Sequence, residues 1–152
     1  MTAIVMLKAD HDKIKKLLTE LETTTERGVQ TRAESFSRIK GELTVHEVIE
    51  EGIFYSELKA HPQAKDVVLK GCEEQDVVDV LMKELEELDV TDKSWGAKTL
   101  VMKANVEQHI EEEEVAMFKT ARQVFDAAER KSLGEHMAAR KVSAAAELAI
   151  PR

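Results

Sequence analysis

Apolar residues recur through this chain in alternating steps of three and four, in four separate runs, and every run is interrupted by a histidine or a glutamate. The first run is Ile4, Leu7, Ile14, Leu18 and Leu21, with His11 in the missing step. The second starts at Phe36, Ile39 and Leu43 and continues through His46, Glu50, Ile53 and Phe54. The third is Val67, Gly71, Val78, Leu81, Leu85 and Leu88, with Glu74 in its gap. The fourth passes from Leu100 or Met102 through Val106, His109, Glu113, Met117 and Phe118. Such steps line one face of an α-helix, so the pattern predicts four amphipathic helices.

The punctuation between the runs agrees. Thr31 with Glu34 forms a capping box at the second helix, and Thr91 and Asp92 can cap the fourth. His61 and Pro62, within Ala60 to Gln63, break the pattern before the third. Asp126 with Glu129 opens a further, short helix, and the alanine-rich end from Ser143 is expected to fray. With 6 Gly and 2 Pro in 152 residues, no strand pattern competes. The expected architecture is all-α: an up-down-up-down four-helix bundle with a short extra C-terminal helix. Residues 1–142 form the domain and 143–152 the tail.

Charge narrows the partners. A formal net charge of -8 and the lack of a basic stripe argue against nucleic acid and anionic membranes. The apolar stretch near Met1 is too short for a span or a signal peptide, so a cytoplasmic protein is expected. The single cysteine, Cys72, excludes an internal disulfide and any multi-thiolate metal site, which leaves nitrogen and oxygen as ligands.

The interruptions carry the chemistry. His11, His46, Glu50, Glu74, His109 and Glu113 all fall on apolar faces, where an uncompensated charge costs several kcal/mol, of the order expected for any buried ion. A lone histidine on such a face is by default a hydrogen-bonded core residue, and the acidic run Glu111 to Glu114 is by default a solvated face. Three histidines at matching depths reverse the first default, and of the run only Glu113 shares the stripe. His46 and Glu50, like His109 and Glu113, are four residues apart, which stacks both side chains on one face, roughly 6 Å apart along the axis. Phe54, Tyr55 and Phe118 read as core packing, Trp95 as packing against a neighbouring helix end, and His61 and His136 as exposed.

The two pairs sit in a repeated phrase. His46, Glu50 and Glu51 are followed by Phe54 and Tyr55, and His109, Glu113 and Glu114 by Met117 and Phe118. Together with Asp10 and His11 in the first helix, this phrase resembles the hemerythrin-like (HHE cation-binding) family, over about Leu7 to Lys141. The resemblance implies a carboxylate-bridged pair of iron ions, oxo- or hydroxo-bridged, with His11, His46 and His109 as terminal ligands and Glu50 and Glu113 as bridges. The family usually adds a histidine from the third helix. This chain has none there; Glu74 takes that place, with Gln75 as the alternative, and some members also use the acid after the second histidine, here Glu47.

A carboxylate in place of an imidazole hardens the site, which favours ferric iron and tolerates manganese, with zinc as a further substitute. The implied function is reaction with hydrogen peroxide or dioxygen, in the manner of a catalase or peroxidase, as protection against oxidative stress. The alternative is a protein that binds or senses iron, oxygen or nitric oxide without substantial turnover. A third reading is a helical interaction module whose metal site has decayed. The oligomeric state is not fixed by the sequence.

Overall fold

In a computed structural model of the chain, residues 1–149 are described, and no strand occurs among them. The four runs fold as the long helices α1 (Ala3–Glu22), α2 (Val29–Ile49), α3 (Lys65–Glu87) and α4 (Lys93–Glu112), and α5 (Ala127–Ala149) comes after them. α1 packs on α2 and on α4, α3 packs on α4, and α5 packs on α1 and α2. Short connections between long helices make successive helices antiparallel, which is the expected bundle. No helix of the described residues is long and apolar enough to cross a membrane.

Neither α2 nor α4 ends where its α-helical hydrogen bonding ends. α2 runs on through a π-helical segment, Glu50–Tyr55, and then Ser56–Leu58; α4 runs on through the π-helical segment Glu113–Met117 and then Phe118–Val124. The widened turn holds one extra residue and shifts the register of the helix beyond it. After Glu50 the buried aromatics fall at Phe54 and Tyr55, and after Glu113 the buried pair is Met117 and Phe118.

The apolar core is split in two. One cluster gathers Leu7, Ile49, Phe54, Tyr55, Met117 and Phe118 with Leu133 and Met137 of α5. The other gathers Ile14, Leu18, Ile39, Leu43, Val78, Met102 and Val106, with Trp95 donating its indole N–H to the Leu85 carbonyl. α1, α2, α3 and α4 with its continuation contribute to both clusters, and the residues between them are polar and buried: Asp10, His11, His46, Glu50, Gln75, His109 and Glu113.

Several sequence expectations need correction. α2 starts at Val29 behind Gly28, so Thr31 and Glu34 lie inside the helix and cap nothing. Asp92 and the reciprocal Asp126 and Glu129 pair do cap as expected. Met102 is buried and Leu100 exposed. His61 is half-buried, with its ring edge-on to Phe125.

α5 is not short: it runs 23 residues, and residues 143–149, expected to fray, are its last turns. Alanine is the best helix former, Ala144 is buried, and Arg140 pairs with Glu147 at 2.9 Å across two turns. Residues 150–152 of the expected tail lie outside the described residues. α5 is seated by Gly134, where a Cβ would stand 2.1 Å from the Met1 carbonyl oxygen, so only glycine lets the two backbones meet.

Candidate metal centre

The polar layer is assembled from equivalent places on the helices. His46 lies in the last turn of α2 and His109 in the last turn of α4, and Glu50 and Glu113 each open the adjoining π-helical segment. His11 faces them from α1 and Gln75 from α3. His11 and Glu50 are 0% exposed and Glu113 1%, so water solvates none of them.

All three imidazoles are oriented in the same way. Their Nδ1 atoms face outward to carboxylates: His11 to Glu114 at 2.7 Å, His46 to Asp10 at 3.1 Å, and His109 to Glu74 at 2.9 Å. An ionised carboxylate can only accept, so each Nδ1 carries the hydrogen and donates it. The Nε2 atoms then face inward, toward two shared carboxylates. His11 Nε2 lies 3.1 Å from Glu113 Oε1, and His46 Nε2 lies 3.3 Å from Glu50 Oε2. His109 Nε2 lies 3.3 Å from Glu113 Oε2 and 3.7 Å from Glu50 Oε1. The remaining carboxylate contacts come from Tyr55, whose hydroxyl donates to Glu113 Oε2 at 2.6 Å, and Gln75, whose Nε2 donates to Glu50 Oε1 at 2.6 Å.

This arrangement fits a cation. Nitrogen and oxygen ligands bound about 2.1 Å from one ion at right angles stand about 3 Å apart, close to the separations here. Ligand atoms of His11, His46, Glu50 and Glu113 lie within 4.8 Å of one another. His11 Nε2, Glu50 Oε2 and Glu113 Oε1 are buried without a hydrogen-bond partner. Buried polar atoms are nearly always satisfied, so three orphans at one point call for an ion.

Without a cation, protons do the same work. Burial alone would strip His46 of its charge, but the attraction of Glu50 and the bonds to Asp10 and Glu50 push its pKa up to about 10. Burial is likewise outweighed at His109, where the bonds to Glu113 and Glu50 bring it to about 11. Burial would raise Glu50; the imidazolium of His46 and the bonds around it hold it well below the usual carboxylate range. Burial and the charges of Glu50 and Glu113 drive the Tyr55 phenol far upward, so it remains a donor. Gly71 leaves room for that phenol: a Cβ there would stand 3.0 Å from its oxygen.

Two ways in are visible. A groove of about 720 Å³ between α3 and α4, lined by Lys70, Glu74, Glu112 and Met117, reaches His109 and Glu113. On the other side, a cavity of about 20 Å³ among Ile14, Leu43, His46, Gln75 and Val106 has room for about one water-sized molecule.

The structure brings His11, His46, Glu50, His109 and Glu113 together, and places two other candidates elsewhere. Glu74 is turned to the outer side of His109, while the neighbouring Gln75, 3% exposed, is the third-helix residue facing the interior. The buried line on α3 is Val68, Gly71, Gln75, Val78, Met82 and Leu85. Steps of four then three give this line, and steps of three then four give the one through Glu74 and Leu81; they are adjacent on the helix, and only packing selects between them. Glu47 lies against Asp79, and burial with that contact pushes its pKa up to about 9. Sequence reasoning also missed the hydrogen bond of Tyr55, read by default as core packing, and the orienting roles of Asp10 and Glu114. The repeated aromatic nine residues after each histidine was the available signal for Tyr55, but Phe118 at the second copy has no hydroxyl.

The family model of the hemerythrin HHE cation binding domain matches residues 2–121. In crystal form, a hemerythrin HHE cation binding domain-containing protein from Mycobacterium kansasii shares the fold with a TM-score of 0.84. It is 26% identical, and the match covers 97% of this chain and 89% of that one. Comparison with curated proteins gives no match.

Proposed function

Because the chain belongs to the hemerythrin HHE cation-binding family, we propose that it is a non-haem di-iron protein that turns over hydrogen peroxide or dioxygen as a protection against oxidative stress. The observation that carries this reading is the shared orientation of His11, His46 and His109, each with Nδ1 tied to a carboxylate and Nε2 aimed at the same two buried acids. Glu50 and Glu113, each with two histidines within 3.7 Å, would hold the iron together with His11, His46 and His109. Manganese or zinc would find the same donors acceptable. When bound, an iron pair supplies the electron transfer that protein side chains lack.

The chain's own residues do the rest. Asp10, Glu74 and Glu114 fix the tautomers that present Nε2 lone pairs inward, as carboxylate partners of ligating histidines do. The two apolar clusters exclude water above and below the layer. Tyr55 holds a proton at its oxygen, 2.6 Å from Glu113 Oε2, beside the point where the groove arrives. Peroxide needs no other reactant, since one molecule is reduced to water while a second is oxidised to dioxygen.

The small cavity beside His46 favours a second reading, that of a protein that binds oxygen or nitric oxide, because its size and mostly apolar lining suit a diatomic gas. Iron quantification on protein purified without a chelating resin, followed by peroxide turnover, separates the two. About two irons per chain with sustained oxygen release supports the proposal. Iron with no turnover and stable, reversible gas binding supports the second reading, and absence of iron binding rejects both.

A further inference from the structure

Asp10 differs from the other carboxylates that hold the histidines. Glu114 and Glu74 are about a quarter exposed in their side chains, at 25% and 24%, so water can solvate them, whereas Asp10 is 5% exposed. A buried carboxylate beside a neutral imidazole lacks a countercharge, and leaving it so costs several kcal/mol, of the order given for a broken buried pair. Its two oxygens are used separately. Oδ2 accepts from His46, and Oδ1 accepts from Lys141 of α5.

Lys141 is delivered there by the fold. Gly134 of α5 touches the backbone of Met1 to Ala3, and Lys141 meets Asp10. Seven residues along α5 and about eight along α1 are nearly equal rises at about 1.5 Å per residue, so the two helices run parallel and in register. Met137 and Ala144, on the same side of α5, are buried at 0% and 3% and hold that side against the bundle. The α5 side of these contacts, Gly134, Met137, Lys141 and Ala144, lies beyond residue 121, outside the segment that the family model matches.

We infer that Lys141 is a positioning residue of the metal centre, acting through Asp10 to hold His46 in its ligating orientation. This rests on the metal-centre reading above. With Lys141 gone, Asp10 Oδ1 has no donor in a buried place, and the carboxylate turns toward solvent. That turn loosens Nδ1 of His46 and with it the aim of Nε2.

The test is ferrous iron affinity, measured by anaerobic titration, together with the midpoint potential of the loaded protein and the melting temperature of the metal-free protein. Lys141→Met is expected to weaken iron binding about tenfold or more, the usual scale for loss of an outer partner of a ligating histidine, and to shift the potential. Lys141→Arg, which keeps the charge, is expected to restore both. Asp10→Asn should carry the same loss, and adding Lys141→Met to it should weaken binding no further, because the lysine acts through the acid. Should the methionine variant fail to fold, Lys141→Gln takes its place in the same comparison. Unchanged affinity in the neutral variant, or a loss that adds in full to that of Asp10→Asn, overturns the inference while leaving the metal centre standing. Equal affinity with a lower melting temperature assigns Lys141 to stability alone and overturns it too. Failure of the wild-type protein to bind ferrous iron overturns the inference and the metal-centre reading together.

Discussion

Each imidazole in the polar layer has its two nitrogens assigned to different tasks, and in the metal-free protein His46 and His109 hold protons at Nε2. His46 and His109 are raised from 6.5 to about 10 and about 11. A raised folded-state pKa stabilises fully below 6.5 and less and less as pH climbs to the folded value. Glu47, raised from 4.5 to about 9, acts in the same sense. Asp10 and Glu50 are lowered from 3.8 and 4.5, so their contributions are present above those values and are lost on acidification. The chelator-treated protein is therefore expected to melt at its highest temperature between about pH 5 and 6 and to lose stability steadily toward pH 10. Circular dichroism melts across that range check this, and a flat profile above pH 6 contradicts it. Tyr55 gives a second residue-scale prediction. Tyr55→Phe leaves Glu113 Oε2 without the hydroxyl at 2.6 Å, and urea unfolding of the metal-free protein should show a loss of about 1.5–3 kcal/mol, the range for a hydrogen bond to a charged group.

At the scale of the helix, the contact at Gly134 sets where α5 sits. A methyl group there would press 2.1 Å from the Met1 carbonyl oxygen and 2.8 Å from the Ala3 nitrogen, both backbone atoms that cannot rotate aside. Gly134→Ala gains a little helix propensity, up to about 1 kcal/mol. It forces the helices apart, and overpacking of this kind costs about 1–3 kcal/mol, so the clash wins. The expected outcome is a lower melting temperature, and one equal to or above wild type would show that the chain start yields freely. The same scale shows what the sequence made legible. Runs in α1, α2 and α4 have a single apolar line, so His11, His46 and His109 could be placed on it from spacing alone. On α3 two lines of equal period run side by side, through Glu74 and through Gln75, and the sequence holds nothing that tells which one the other three helices cover. The π-helical segments were hidden too: they open at Glu50 and Glu113, and one extra residue in a turn leaves no propensity signal of its own. α5 was misjudged in length because its last turns depend on alanine propensity and on docking of Ala144, not on a strong apolar stripe.

For the whole molecule, the polar layer is a cost set into the middle of an otherwise apolar bundle. Two clusters that could have packed as one core are held apart by ionisable side chains, with carboxylate and ring atoms left unpartnered between them. Replacing such a layer with apolar residues often leaves a protein as stable or more so, so stability alone does not account for its presence. A cation that binds only the folded arrangement changes this balance by mass action, contributing about 2.7 kcal/mol at a free concentration a hundred times its Kd. For a chain of this length that amounts to a rise of roughly 5–11 °C in melting temperature. The rise should grow from pH 6 to pH 8, since the ion must displace the protons that His46 and His109 hold in the metal-free protein. Differential scanning calorimetry of chelated and ferrous-loaded protein at the two pH values measures both effects. Equal melting temperatures with and without metal would mean that the layer is satisfied by its own protons, and the bundle would then have no need of an ion.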